Sequence, residues 1–400
     1  MFLLIILSIS FVYTYFHPIP TDDLAFKKVG IGAELLHIGD RTFYINDNGL
    51  DYGYEGMKGN FLYPYLLKFI TNITRILGYE INSRLWNLIV ITFAAISSFF
   101  TLIFLDYTAT NIFGRKVAKI SSWLFVLCPY TLFYTLSGSL TVYMTLGVSY
   151  CTFVLTRSSI FNKNDSNLSP IKSLILLAPG CFFLSSLRPS GGIFSLVILI
   201  GLLSYILFNK RKSFYISRKD LFIIYISISI LLLYTASQFL LTQEYINFSL
   251  NSFTTQKGTF YGVDREYLRY RFSLEGVTVK NLIYNIIWKL TDFVSGISDI
   301  RDTVSSYEVT NYDFPLFQFF ARICTGIFFL YPLNLLSLIG LTQSINKFFT
   351  SGLWLTTLAS FIAISPSILG VAQSRYLIMF YPPMLILSAV SIEKLTNQKK

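Results

Sequence analysis

The feature that most constrains this chain is the recurrence of long apolar runs. Segments of about 15–25 mainly apolar residues follow one another along most of the sequence, and an α-helix of that length can cross the hydrocarbon core of a bilayer. Apolar residues make up 53% of the chain, only 13% are charged, and the mean hydropathy is +0.57. A soluble domain carries about a quarter charged residues. The sequence therefore predicts an integral membrane protein and excludes a soluble enzyme, a disordered chain and a disulfide-rich secreted module.

The apolar runs predict an all-α, polytopic fold with about ten transmembrane helices. The predicted spans lie near residues 2–16, 85–106, 118–136, 140–156, 173–187, 191–208, 221–241, 317–341, 353–372 and 376–392. The first is interpreted as a retained span, because it has neither the basic start nor the small-residue cleavage site of a signal peptide. We treat residues 1–400 as a single transmembrane domain. Two segments, 17–84 and 242–316, are too long and polar for hairpins and are expected to be outer loops with interfacial helices.

Lysine and arginine set the predicted orientation. Fifteen of them fall in one set of loops, whereas the short hairpins on the other side hold only Arg188 and Arg375. Because basic residues accumulate in cytoplasmic loops, both termini are expected in the cytoplasm and both long loops outside. The formal net charge of +11 is then a signature of topology, and it does not indicate nucleic-acid binding.

The carboxylates are distributed in the opposite way. Of the 21 Asp and Glu residues, 17 fall in the two outer loops and none lies at the middle of a predicted span. Ion-coupled transporters usually need ionisable groups at membrane depth. We therefore expect any chemistry to take place at the outer face.

An acidic pair, Asp22 and Asp23, follows the first span after only four residues. Either carboxylate could act as a general base. The alternative is structural, because Thr21 or Asp22 can cap a helix over 22–40, where the helix dipole favours negative charge.

Two aromatic segments of the first outer loop are candidates for sugar contacts. Asp51 and Tyr54 lie in the turn-rich stretch 47–56, and Tyr63 lies in 61–67, where a second interfacial helix is expected to begin. Aromatic faces beside carboxylates suit sugar hydroxyls. An ordinary solvated loop explains 47–56 equally well.

The outward arginines are the second chemical signal. Arg188 and Arg375 stand at outer hairpins against the positive-inside bias, and Arg265, Arg269 and Arg271 cluster in the second outer loop. A guanidinium fork matches phosphate oxygens. The alternatives are snorkelling to the interface or pairing with loop carboxylates.

Cysteine and histidine give no sign of a metal or redox site. Cys128, Cys151, Cys181 and Cys324 lie far apart in apolar runs without a CxxC pair, and small buried hydrophobic side chains explain them. The two histidines lack the spacing of zinc ligands. We predict no cofactor, and a divalent metal is possible but unsupported.

Several short motifs resemble, in their order and placement, the GT-C superfamily of membrane glycosyltransferases, and in particular protein-mannosyl, aminoarabinose and lipopolysaccharide-sugar transferases. The motifs are Asp22-Asp23, 63–67 with 84–87, 113–118 with 128–134, 187–191, and 374–377 with 382–383. They extend over nearly the whole chain. Relatives often have Asp-Glu in place of Asp22-Asp23 and a second carboxylate near 137–142, where this chain has none, so a family-type metal site is in doubt.

The resemblance implies transfer of a sugar from a polyprenyl-phosphate donor to an acceptor hydroxyl at the outer, periplasmic face, with inversion at the anomeric carbon. Asp22 or Asp23 would be the base, and the arginines would bind the donor phosphate. The implied partners are the lipid-linked sugar, a saccharide, lipid or protein acceptor, and membrane lipids, without nucleic acid. A bacterial inner membrane is expected, with the endoplasmic reticulum as the alternative.

Two other functions fit the same outline. An outer-leaflet polysaccharide polymerase or ligase also uses outward arginines and a long outer loop, but it does not usually need an acidic pair after its first span. A transporter or flippase for lipid-linked saccharides would transport without sugar transfer, and the lack of ionisable residues at membrane depth argues against it.

Overall fold

The computed structural model describes residues 36–38, 41–46, 49–52, 62–79, 84–136, 138–161, 168–209, 218–241, 326–369 and 380–397, together with Ser8 and Val12. This part of the chain is mostly helical. Its helices are α1 (Leu62–Ile76), α2 (Arg84–Phe113), α3 (Arg115–Leu127), α4 (Pro129–Leu136), α5 (Leu140–Thr156), α6 (Pro170–Leu187), α7 (Pro189–Asn209), α8 (Arg218–Leu241), α9 (Tyr331–Gln343), α10 (Ile345–Thr350), α11 (Leu353–Leu369) and α12 (Pro382–Asn397). A five-residue π-helical turn, Gly326–Leu330, precedes α9.

Most of the described residues in the predicted spans lie in helices. The prediction for 140–156 matches the bounds of α5, and that for 173–187 begins three residues inside α6. Among the described residues, α2 is the one helix that is long and apolar enough to cross a membrane by itself, and α3 with α4 qualifies as a bent pair. The remaining apolar helices have 10–17 residue apolar stretches. The count of ten spans therefore stays a prediction.

The predicted span 118–136 is wrong in one respect, because the structure breaks it into α3 and α4. The axes of the two helices differ by 61°. The break falls at Cys128 and Pro129, and proline has no N–H to continue the helical hydrogen bonds. Cys128 has the extended conformation (φ −66°, ψ 112°) that a following proline imposes on its neighbour.

A small antiparallel sheet lies in the first predicted outer loop. Its strands are β1 (Leu36–Ile38), β2 (Arg41–Asn46) and β3 (Gly49–Tyr52), in the order β1-β2-β3. The helix predicted over 22–40 is therefore wrong at its last residues. Residues 42–45 are threonine, phenylalanine, tyrosine and isoleucine, which are types enriched in strands, and pairing with β2 draws Leu36–Ile38 into the sheet.

The buried side chains form two clusters. The first joins α1, α2, α5, α6, α7 and α11, and includes Tyr63, Trp86 and Phe194. The second joins α2, α3 and α4 to α9 and α12, so it connects the early part of the chain with its late part. Hydroxyl groups inside the helices mostly donate to the carbonyl one turn earlier, as Thr101 does to Ser97 at 2.9 Å. That pattern satisfies polar groups without water.

The contact between α9 and α12 is built from small residues. A Cβ at Gly340 would lie 2.7 Å from the carbonyl carbon of Leu387, so glycine is required for the helices to approach this closely. Ser388 and Ser391 donate hydrogen bonds across the contact to the carbonyls of Leu333 (2.9 Å) and Leu336 (2.6 Å). Close approach at small residues with polar bonds between helices is typical of packing in membranes.

Candidate functional site

Arg188 is the predicted site residue that the structure places most clearly. It is the one residue between α6 and α7, and its backbone is extended (φ −162°, ψ 151°). Pro189, the first residue of α7, accounts for this conformation, because the residue before proline is driven out of the helical region. Arg188 is only 8% exposed. The tight hairpin agrees with the sequence prediction for this position, whereas the burial of Arg188 was not predicted.

The hairpin that carries Arg188 is closely packed. A Cβ at Gly191 would lie 2.7 Å from the carbonyl carbon of Leu184, so α6 and α7 are in backbone contact here. The Ser195 hydroxyl donates to the carbonyls of Gly191 (2.8 Å) and Cys181 (3.2 Å), which ties the two helices together one turn further in. These contacts fix the position of Arg188 in the fold.

The end of the bundle at Arg188 also contains the start of α5. Helices α5 and α6 are antiparallel neighbours, since a Cβ at Gly147 would meet the Leu184 side chain and a Cβ at Gly180 would meet the Cys151 side chain. Gly138 precedes α5 and therefore lies at the same end as Arg188. The Tyr63 hydroxyl donates to the Gly138 carbonyl at 2.7 Å. This bond brings α1 to the end of the bundle that carries Arg188.

Tyr63, a predicted sugar contact, is fully buried in the structure. Its ring lies 5.7 Å from that of Tyr143, and its hydroxyl is already bonded to Gly138. The Trp86 indole N–H donates to the Thr71 hydroxyl at 3.0 Å and holds α1 against α2 in the same region. The geometry gives Tyr63 a packing role, and the sugar contact stays a prediction.

The other predicted site residues are not placed beside Arg188 by the described structure. Asp51 belongs to β3, where its backbone is paired with Tyr44. The remaining ones lie outside the described residues, and they are Asp22, Asp23, Tyr54, Arg265, Arg269, Arg271 and Arg375. The meeting of the acidic pair with the arginines therefore stays a prediction. Within the described part of the chain, no group of three His, Cys, Asp or Glu side chains could hold a metal ion.

A cluster of buried hydroxyl groups at the break between α3 and α4 was not predicted from the sequence. Thr131 and Tyr381 are hydrogen bonded at 2.5 Å, and Ser98 and Thr135 at 2.7 Å. Hydroxyl-bearing side chains of α2, α4 and α5 and of Tyr381 line a small cavity there, with room for about one water molecule. The available signal was Cys128-Pro129 inside an apolar run, because a broken membrane helix needs nearby polar groups for its freed backbone.

Comparison with known proteins gives a fold relation. No model of a protein family matches the sequence, and no curated protein does. Solved structures do match, and they are structures of an archaeal oligosaccharyltransferase. At this low sequence identity the match shows a likeness of fold.

One matching structure is the archaeal oligosaccharyltransferase AglB from Archaeoglobus fulgidus, solved with an inhibitory peptide and a dolichol-phosphate. Its TM-score is 0.51 at 12% identity, and the match covers 99% of this chain and 50% of AglB. Two further structures of the oligosaccharyltransferase from the same organism, in the apo form and with Zn and sulfate, give TM-scores of 0.48 and 0.49 at 12% and 13% identity, over 99% of this chain and 51% and 49% of theirs. The chain thus spans about half the length of its structural neighbours.

Proposed function

We propose that this chain is an integral membrane glycosyltransferase that moves a sugar from a polyprenyl-phosphate donor to an acceptor hydroxyl. The observation that carries the proposal is the fold relation, which extends over 99% of the chain, to an enzyme solved with a dolichol-phosphate and a peptide. One of those ligands is a lipid phosphate and the other is an inhibitory peptide, and we take them as guides to a lipid-linked donor and an acceptor. We extend the same partner types to this chain, with a saccharide, lipid or protein as the acceptor.

The proposed reaction is a single displacement that inverts the anomeric carbon. The acceptor oxygen forms a bond to this carbon, and the bond from the carbon to the donor phosphate oxygen breaks. Asp22 or Asp23 takes the proton of the acceptor hydroxyl, and the lipid phosphate leaves with the bonding electron pair. The reaction needs no oxidant, reductant or cofactor.

Arg188 is the described residue that fits the leaving phosphate. Its guanidinium is buried, and close backbone packing between α6 and α7 fixes its position. A charge held in place before the reaction stabilises developing negative charge without reorganisation. In this proposal Arg375 and the group Arg265, Arg269 and Arg271 contribute further positive charge, and Asp51, Tyr54 and Tyr63 contact the sugar or acceptor.

The site is proposed to face the periplasm or cell exterior, in a bacterial inner membrane. The distribution of basic residues supports this orientation. The outer end of the bundle in this topology is the end that carries Arg188 and Gly138.

The test is sugar transfer by the purified chain in proteoliposomes, using a panel of labelled polyprenyl-phosphate sugars and lipid, saccharide and peptide acceptors. Asp→Asn at the catalytic position, Asp22 or Asp23, should lower turnover by about 10²–10⁴-fold, because proton transfer is worth about that much. Arg188→Gln should lower it as well, through loss of charge at the leaving phosphate.

Asp106→Asn is the matched carboxylate control. Asp106 accepts a hydrogen bond from Ser122 at 3.2 Å within α2 and α3, and in the proposed topology it lies toward the inner face. This variant should keep transfer unchanged. Full activity in both Asp22→Asn and Asp23→Asn would remove the assigned base, and translocation of a lipid-linked saccharide without transfer would replace the enzyme with a flippase.

A further inference from the structure

The end of the bundle opposite Arg188 carries a cluster of basic side chains. Arg115, Lys116 and Lys119 lie in the first two turns of α3, and Lys347 lies in α10. All four are exposed. We call these four residues the basic cluster. They come from two segments that are far apart in the sequence, so only the fold brings them to the same end of the molecule.

Packing places α10 against the start of α3. The Lys347 Nζ lies 5.9 Å from the ring of Phe113, the last residue of α2. A single residue, Gly114, separates α2 from α3, and its φ of 96° permits the tight reversal between them. Phe348 of α10 is buried in the same cluster as Val117 of α3. Lys347 is therefore held at the corner where the other three cations begin.

The carboxylates of the neighbouring helices have other partners. Asp106 of α2 accepts a hydrogen bond from the Ser122 hydroxyl group at 3.2 Å, and Glu393 of α12 accepts from the side-chain amide of Asn397. Among the residues that the structure describes, no carboxylate forms an ion pair with the basic cluster. Like charges held close together repel one another, so an anion supplied from outside the chain would stabilise this corner.

An exposed apolar surface continues from the basic cluster along α3. Lys116, Lys119, Trp123 and Leu127 follow one another at intervals of three or four residues, which places them on one face of the helix. Trp123 and Leu127 are both exposed, and Leu127 lies about 12 Å beyond Lys119 at 1.5 Å per residue. Phe349 adds an exposed ring on α10. Positive charge at one end and apolar side chains further along match a ligand that has an anionic head group and a hydrocarbon tail.

We propose that the basic cluster binds the head group of an anionic phospholipid, with an acyl chain lying along Trp123 and Leu127. Basic side chains at the cytoplasmic ends of membrane helices attract anionic head groups, and in the proposed topology this corner faces the inner leaflet. The inference rests on that topology and does not depend on the sugar-transfer reaction. It assigns a lipid to the end of the molecule that the proposed reaction does not use.

The experiment is lipid binding to the purified full chain in a neutral detergent, measured by native mass spectrometry. Phosphatidylglycerol and phosphatidylcholine with the same acyl chains are titrated separately, and the natural chain should bind phosphatidylglycerol more tightly. Lys347→Gln should weaken that binding about five-fold, the effect of one basic charge near an anionic lipid. Adding Lys116→Gln should weaken it about five-fold again. Lys347→Arg keeps the charge and should keep the affinity.

Lys172→Gln is the matched control, because Lys172 is an exposed lysine at the start of α6 and lies at the same end of the bundle. This variant should bind phosphatidylglycerol as the natural chain does. An equal loss in Lys172→Gln and Lys347→Gln would replace the defined site with a general attraction of this end for anionic lipids. Unchanged binding of phosphatidylcholine shows that each variant is folded.

The deacylated head group, glycerophosphoglycerol, separates a lipid from a soluble phosphate. It should compete poorly with phosphatidylglycerol, because it has no chain to cover Trp123 and Leu127. Competition as strong as that by the intact lipid would overturn the lipid assignment.

The inference and the proposed function can fail separately. Equal affinity of the natural chain and the Lys116→Gln, Lys347→Gln double variant for phosphatidylglycerol would remove the lipid site. The glycosyltransferase would be unaffected, because its proposed residues lie toward the other end of α2, 30 helical residues or about 45 Å away. A preference for phosphatidylglycerol that depends on the basic cluster, in a chain that transfers no sugar, would remove the glycosyltransferase and keep the lipid site.

Discussion

Two tyrosines in the same buried cluster differ in one respect. Tyr63 and Tyr143 have their rings 5.7 Å apart. The Tyr63 hydroxyl donates to the Gly138 carbonyl, whereas the Tyr143 hydroxyl is buried without a partner in the part of the chain that the structure describes. Each is thus a natural control for the other, because removal of the hydroxyl leaves the ring packing unchanged.

Tyr63→Phe should lower the free energy of unfolding by about 1–3 kcal/mol, since it leaves the buried Gly138 carbonyl without its donor. Tyr143→Phe should be neutral or slightly stabilising, because it removes a polar group that has no partner. SDS titration of the purified protein measures both variants. An equal loss in the two would show that the bond to Gly138 does not hold α1 in place.

The contact between α9 and α12 depends on the absence of a side chain at Gly340. At Gly340 a side chain would meet the backbone of Leu387, and its Cβ would lie 3.0 Å from the Ser391 hydroxyl oxygen. A backbone carbonyl cannot rotate away. At Gly201 in α7 the obstacle is instead the end of the Leu355 side chain, which can adopt another rotamer.

Gly340→Ala should therefore destabilise the protein by about 1–3 kcal/mol through overpacking. Gly201→Ala should change stability by less than about 1 kcal/mol, because alanine favours a helix by a similar amount over glycine. Thermal unfolding in detergent ranks the two variants. If Gly201→Ala lowers the unfolding temperature more than Gly340→Ala does, close backbone contact does not determine the stability of the α9–α12 contact.

The elements themselves were largely predictable, and the reasons are local. Apolar runs give the extents of the helices to within a few residues. The start of α6 was predicted three residues late, because the cap at Ser169, whose hydroxyl group accepts from the Lys172 N–H at 3.4 Å, was not taken into account. The place of Arg188 at an outer hairpin was also predictable. Pro189 directly after it favours a helix start, and a basic residue in an outer loop is an exception to the positive-inside bias. The break at Pro129 was not predicted, although the proline itself is visible in the sequence. Membrane helices tolerate proline when polar neighbours are available, so a proline alone does not show that a helix is broken.

What the sequence does not reveal is which distant side chains meet. The bond of Tyr63 to Gly138 joins positions 75 residues apart, and that of Thr131 to Tyr381 joins positions 250 apart. Each depends on how the helices are arranged, and no local pattern encodes it. The same is true of the Tyr143 hydroxyl group, whose lack of a partner among the described residues emerges only once its surroundings are known.

At the scale of the whole molecule, the proposed orientation can be tested at the two ends of α2. Tyr79 lies just before the start of α2 and is half exposed. Lys347 marks the other end, because it is exposed and its Nζ lies 5.9 Å from the ring of Phe113, the last residue of α2. Thirty helical residues separate the ends, a distance of about 45 Å at 1.5 Å per residue. The two positions are therefore expected on opposite sides of the membrane.

Tyr79→Cys and Lys347→Cys are to be made in a chain whose four native cysteines are replaced by alanine. A membrane-impermeant maleimide on intact cells should label the cysteine at 79 and reach that at 347 only after the membrane is opened. This outcome follows from the excess of basic residues in cytoplasmic loops. The reverse pattern would invert the topology and place Arg188 on the cytoplasmic side.

The hydrogen bond between Thr131 and Tyr381 has a consequence for biosynthesis. The ribosome makes the broken segment at Pro129 long before it makes residue 381, so the early helices enter the membrane without the partner that completes their polar cluster. Until α12 is inserted, α3 and α4 lack much of the second buried cluster. A nascent chain halted before α12 should therefore be a substrate for membrane quality-control proteases, which makes insertion of the last helix the step that commits the protein to its mature form.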